Sequence, residues 1–208
     1  MGDMTAHGPK LTQRGQATRE RIVTAAARLM YERGVAGTST PDVRTAAGVS
    51  SSQIYHYFAD KSALTMAVIE QQTEMILRRQ NTLLDKLDSF EGLWAWRDCI
   101  VDLVRELGCA GGCPLGSLTT ELADHDPRAR EALAAGFSRW GTAIRDGLRT
   151  MIDLGRLSPD ADPDHLSLAM LAALQGGLLL AQAQHTTAAL EAGLDAMIER
   201  IACHAVPT

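Results

Sequence analysis

A chain of 208 residues, 46% apolar and 22% charged, can bury a core in one or two domains. No apolar run reaches the ~18 residues read as a bilayer span, and residues 1–16 lack the apolar segment of a signal peptide, so a cytoplasmic protein is expected. The net charge of −5 is uneven: residues 1–61 hold eight basic and five acidic side chains, net +3, and the remainder twelve and twenty, net −8. A basic head on an acidic body fits a nucleic-acid-binding module joined to a part that should not touch nucleic acid.

Residues 1–16, with Gly2, Gly8, Pro9 and Gly15 and no hydrophobic period, read as a flexible tail. A helix is predicted from about Thr18, with Ile22, Ala25, Ala26, Leu29 and Met30 on one stripe, stopping at Gly34. Thr40-Pro41-Asp42 gives a cap, a proline in the first turn and an acid near the helix start. That helix ends near Ala47 because Gly48 breaks it. Ser50 caps a short helix with Ile54 and Phe58 one turn apart, and Asp60 caps a long one through Leu64, Ala67, Val68 and Met75. Further helices are predicted at 93–107, 115–123, 127–154, 166–183 and 187–202, with a glycine-rich loop at 108–114. Aromatics are only 4%, and valine, isoleucine and threonine do not alternate along short runs. The sequence therefore predicts an all-α fold of about nine helices, with no sandwich or barrel.

Two short helices separated by Gly48-Val49-Ser50 have the helix-turn-helix spacing, in which the second helix crosses the first steeply and projects outward. Val43, Ala46, Ala47, Val49, Ile54 and Phe58 are the positions expected to pack the pair on the first helix. The other face of the second helix presents Ser51, Ser52, Gln53, Tyr55, His56 and Tyr57. Those groups donate and accept hydrogen bonds, unlike the Glu/Lys mixture of a merely solvated face.

Ala46-Ala47-Gly48-Val49-Ser50, Ile54-Tyr55-His56-Tyr57-Phe58 and Asp60-Lys61-Ser62-Ala63-Leu64 together closely resemble the TetR family of bacterial transcriptional repressors over residues 17–64. Later, Gly112-Cys113-Pro114-Leu115-Gly116 and Leu174-Gln175-Gly176-Gly177-Leu178 resemble the LmrA/YxaF-type ligand-binding half of that family. Arg44, Ser52 and Ser62 depart from the family pattern, where a small residue, Gly and Glu are usual. The resemblance implies a helix-turn-helix domain at 17–64 and an effector-binding and dimerisation domain at 65–208. It places Ser51, Ser52, Gln53 and His56 toward the major groove, and Tyr55, Tyr57 and Lys61 on phosphates. Thr40 and Arg44 complete the set of expected DNA contacts. Side-chain chemistry agrees, since Gln pairs bidentately with adenine and Ser donates or accepts. Lys61 adds charge at a helix N-terminus that already favours an anion. Lys10, Arg14 and Arg19 could add contacts, although the first two read more simply as a solvated tail.

One short recognition helix buries little surface, so a homodimer on a two-half-site operator is expected. Helices 163–184 and 187–202 are the expected dimer interface, as a four-helix bundle across a two-fold in the manner the family implies. The first is apolar nearly all round, with Ala169, Ala172, Ala173, Gly176, Gly177 and Ala181 permitting close approach. Trp94, Trp96, Cys113, Phe137, Trp140, Met151, Met170, Leu174, Gln175 and Gln182 are the candidate effector-pocket residues, although such side chains at helical spacing more often form core. Few charges lie near them, so a small, neutral, lipophilic effector is expected.

The four cysteines, Cys99, Cys109, Cys113 and Cys203, are expected as thiols rather than a disulfide framework. Cys109 and Cys113 lack the further soft ligands that a metal site needs, so neither metal nor cofactor is expected. Two alternatives use the same thiols: a redox-sensing regulator, and a helical enzyme with Cys113 as nucleophile and His125 or His165 as base. No triad spacing supports the enzyme.

Overall fold

A computed structural model describes residues 12–207. Nine helices lie among the described residues: α1 (Gln13–Arg33), α2 (Thr40–Ala47), α3 (Ser51–Tyr57), α4 (Lys61–Leu84), α5 (Phe90–Glu106), α6 (Pro114–Leu122), α7 (Pro127–Asp153), α8 (Pro163–Gln184) and α9 (Ala188–Ala202). The all-α expectation holds. The extended pairing among these residues is an isolated antiparallel bridge between Leu157 and Ala205.

The first helix begins earlier than its apolar stripe suggests. Thr12 is the N-cap, its hydroxyl accepting from the Gly15 N–H at 3.2 Å, so residues 13–16 are helical rather than tail. Arg14 and Arg19 therefore sit on α1. Lys10 and the rest of the expected tail lie outside the described residues.

By contacts the chain forms two compact units, one up to Gln71 and one from Gln72. The division falls inside α4, later than the 64/65 boundary read from the sequence. The first turns of α4 explain the delay: Leu64 and Val68 are buried, and Gln71 Nε2 donates to Thr24 Oγ1 of α1 at 2.9 Å. The core of the N-terminal unit is Ile22, Ala26, Leu29 and Met30 of α1, Val43 of α2, Ile54 of α3, and Phe58. The Arg19 guanidinium stacks over the Phe58 ring, 5.3 Å from its centroid.

The larger unit packs α8 against both α7 and α9, α5 against α9, and α6 against α7. Leu93, Trp96, Leu115, Leu133, Ile144, Leu148, Met170, Leu174, Leu190 and Leu194 form its core. By length and composition α8 is apolar enough to cross a membrane, although no unbroken apolar run in the sequence reaches ~18 residues. In the fold its Met170, Leu174 and Ala181 are core residues. Arg97 ties α5 to α9: its Nε and Nη2 grip Asp195 at 2.7 and 3.0 Å, and Nη2 also reaches Glu191 at 3.4 Å. The Asp195 hydrogen bond raises the Arg97 pKa, and the Thr187 hydroxyl, with Arg97 and Arg105 nearby, lowers that of Glu191.

Candidate nucleic-acid interface and effector region

The helix-turn-helix is set by caps at both of its helices. Ser39, not Thr40, caps α2: its hydroxyl accepts from the Asp42 N–H at 3.3 Å, and the Asp42 carboxylate accepts from the Ser39 N–H at 3.0 Å. The Ser39 hydroxyl, donating to Asp42 Oδ2, and then the Ser39 N–H hold the Asp42 pKa below its usual value. Thr40 is thus the first helical residue and is half-buried. Gly48 ends α2 with φ +63°, a left-handed conformation that costs any other residue. Val49 is half-buried beyond it, whereas Ala46, expected to pack inward, is exposed.

In α3 the division of faces is sharp. Ile54 is buried, as is Phe58 just beyond the helix, whereas Ser51, Ser52, Gln53, Tyr55 and His56 are exposed and Tyr57 is half-buried. Arg44 Nη1 donates to Ser51 Oγ at 3.3 Å, so this departure from the family pattern joins α2 to the head of α3. The hydroxyls of Ser50 and Ser52 lie 2.9 Å apart. Asp60 Oδ1 accepts from the Ala63 N–H at 2.7 Å, which leaves the half-buried Lys61 as the first residue of α4.

Gln53 has a second task that its side-chain type does not reveal. Its N–H donates to Ser50 Oγ at 3.2 Å while its Oε1 accepts from the Ser50 N–H at 2.8 Å, a complete capping box. With the carbonyl oxygen engaged, only Nε2 is free to donate. The bidentate adenine pairing expected from sequence needs both groups and would break the box. Gln53→Ala is expected to cost about 1 kcal/mol of stability, ~2–4 °C in Tm. Gln53→Glu keeps an Oε acceptor and should leave Tm unchanged. Both should lose roughly 1–3 kcal/mol of discrimination at one base pair, read from operators differing only there. Unchanged discrimination in both would remove Gln53 from base reading.

The ten residues expected around an effector do not share one surface. Trp96 (0% exposed), Trp140, Met151, Met170, Leu174 and Cys113 are buried, while Phe137 and Gln175 are half-buried. Trp94, 39% exposed, and Gln182 face outward. Trp96 Nε1 is already satisfied by Gln80 Oε1 at 2.9 Å. A groove of about 610 Å³ runs between Leu77 and Leu84 of α4 and Arg139, Thr142, Asp146 and Thr150 of α7. None of the ten residues lines it.

Burial pushes the Cys113 thiol pKa up, although the Gly116 and Leu115 backbone and the nearby Gln175 amide oppose the shift. A buried thiol held protonated is a poor nucleophile and a poor redox sensor. His125 and His165, proposed as its bases, are exposed. Among the described residues no cluster of three or more His, Cys, Asp or Glu side chains could hold a metal ion.

Comparison with known proteins bears on both units. Residues 22–68 match the family described as bacterial regulatory proteins, tetR family, and residues 89–197 match the tetracyclin repressor-like C-terminal domain. An HTH-type transcriptional regulator from the lacX 3' region of Lactococcus lactis is 29% identical over 180 residues, covering 86% of this chain and 90% of that one. The transcriptional regulator LmrA of Bacillus subtilis is 25% identical over 172 residues, 78% of this chain and 85% of its own, so the finer likeness to LmrA is modest. A TetR transcriptional regulator from Chloroflexus aurantiacus superposes with a TM-score of 0.78 at 28% identity, covering 93% of this chain and 98% of that structure.

Proposed function

The chain belongs to the TetR family of bacterial transcriptional regulators, and from that premise we propose a cytoplasmic, homodimeric repressor that releases a palindromic operator when a small lipophilic effector binds. A DNA-binding regulator, not an enzyme, is what the family is. The observation that carries the proposal is the outward face of α3, where Ser51, Ser52, Gln53, Tyr55 and His56 are all exposed beside the buried Ile54. Of these, Ser51, Ser52, Gln53 and His56 read base edges, while Tyr55 joins Tyr57, Lys61, Thr40 and Arg44 on the phosphate backbone.

Dimerisation is assigned to α8 and α9. Leu168, Ala172, Gly176, Leu179 and Ala183 form one exposed stripe along α8, and Ala188, Ala192 and Ala196 form another along α9. Such small and apolar outward faces suit a four-helix bundle with a second copy. Two α3 helices then meet successive major grooves only at a separation of about 34–36 Å. An effector bound in the larger unit shifts α4, which runs continuously through the division at Gln71 and Gln72, and so changes that separation. Coupling of this kind is worth about 1–3 kcal/mol, and operator DNA weakens effector binding by the same factor.

The test is binding to a protected palindrome near the protein's own gene, titrated with salt. Lys61→Ala should weaken binding to every sequence alike and reduce the slope of log K against log salt by about one. An unchanged slope removes Lys61 from the phosphate contacts, and no protected palindrome removes the repressor reading.

A further inference from the structure

Three buried polar atoms of the larger unit make no hydrogen bond: Gln72 Oε1 on α4, Trp140 Nε1 on α7 and Gln175 Nε2 on α8. Buried donors and acceptors are nearly always paired, so each unpaired one needs a reason. Trp140 is only 3% exposed, and water therefore does not serve it from outside.

The packing brings the segments that carry them together where α4, α6, α7 and α8 meet. Gly136 and Trp140 share a face of α7, one turn apart. A Cβ placed on Gly136 would lie 2.7 Å from Oγ1 of Thr73, the neighbour of Gln72, and 3.5 Å from Leu115 of α6. A Cβ on Gly141, next to Trp140, would lie 3.7 Å from Leu171, one turn before Gln175 on α8. From the α6 side, a Cβ on Gly116 would lie 3.6 Å from Gln175 Oε1 and 4.0 Å from Cys113 Sγ.

On the effector reading above, we propose that the ligand is a neutral molecule with a carbonyl-type acceptor oxygen on an apolar frame, received by Trp140 and Gln175, with Gln72 accepting from any hydroxyl or N–H it carries. The region offers two donors and one acceptor but no free charge. Cys113 is a neutral thiol, and Glu74 and Arg139, nearest on α4 and α7, pair with each other. An ionic ligand would lose its hydration without a counter-charge. A hydrocarbon would leave all three atoms unpaired.

Four probes on one frame separate these cases: para-methylacetophenone, para-ethyltoluene, para-methylbenzoate and para-methylbenzylamine, each titrated calorimetrically into the full chain. The ketone should bind at least fivefold tighter than the hydrocarbon, and neither ion should saturate. Trp140→Phe and Gln175→Met should each weaken the ketone roughly five- to thirtyfold and leave the hydrocarbon unchanged. Without ligand, Gln175→Met should raise Tm by about 2–4 °C, because it removes an unpaired amide. It also carries the test should Trp140→Phe fail to fold. Equal binding of ketone and hydrocarbon, or saturable binding of either ion, overturns this proposal and leaves an effector pocket standing. No binding by any probe overturns the proposal together with the pocket.

Discussion

Leu179→Arg is expected to give a monomer that no longer holds a two-half-site operator. Leu179 is 66% exposed and Leu168 is 67% exposed on the outward stripe of α8, although both are large apolar side chains. Leu179 therefore contributes little inside its own protomer, and helix content by circular dichroism should not change. In a two-fold bundle the arginine meets its own copy across the axis region. Two unpaired guanidinium groups are then forced into an apolar contact. Sedimentation at micromolar concentration should show the protomer mass. Operator affinity should fall by roughly 10²–10⁴, because the second half-site is no longer bound intramolecularly. Binding to non-specific DNA should fall far less, since α3 and Lys61 are untouched. A variant that stays dimeric and keeps its operator affinity would move the interface away from α8.

Where a residue acts on its near neighbours, the sequence was readable. Gly48, Ser50 and Asp60 punctuate the helix-turn-helix as their side-chain chemistry requires, and Ile54 and Phe58 bury as their spacing demands. Thr12 escaped because no apolar residue follows it closely enough to start a period, and a helix turn with only polar side chains carries no hydrophobic signal. Ser39 and Thr40 are adjacent residues of the same capping type, and only the Asp42 carboxylate decides between them. Trp94 and Trp96 are indistinguishable by composition. Residues two positions apart on a helix point in nearly opposite directions, so one tryptophan faces outward while the other is core. Partners remote in sequence gave no signal at all. Arg97 finds Asp195 nearly a hundred residues away, and Gln71 is satisfied by Thr24 while Gln72 keeps a buried unpaired oxygen. Trp140 and Gln175 meet their surroundings through contacts of this range, which leave no local pattern to read.

Gly177→Val is expected to destabilise the larger unit strongly, and its neighbour supplies the control. A Cβ on Gly177 would lie 2.7 Å from the Leu190 Cα and 2.8 Å from its Cδ1, so α8 and α9 approach backbone to side-chain-free backbone at this point. The obstacle is main chain, which cannot rotate aside as a flexible side chain would. Valine adds two further methyl groups, and α9 must move away from α8 or α8 must bend. Overpacking of this kind costs roughly 1–3 kcal/mol or more, about 2–4 °C of Tm per kcal/mol in a chain of this size. The shift reaches Leu194 and Ile198 as well, both buried on α9. Gly176 is adjacent but exposed, and nothing within 4 Å would meet its Cβ inside the protomer. In an isolated protomer Gly176→Ala should therefore gain up to ~1 kcal/mol of helix stability. It does so in the Leu179→Arg background if that variant is monomeric. In the dimer proposed above the gain should shrink or reverse, because that interface lays a second α8 against the same position. Thermal unfolding of Gly177→Val, of Gly176→Ala, and of Gly176→Ala with Leu179→Arg gives all three comparisons. Equal Tm for Gly177→Val and wild type would contradict the close approach of α8 and α9. A gain from Gly176→Ala equal in both backgrounds would place the partner helix elsewhere.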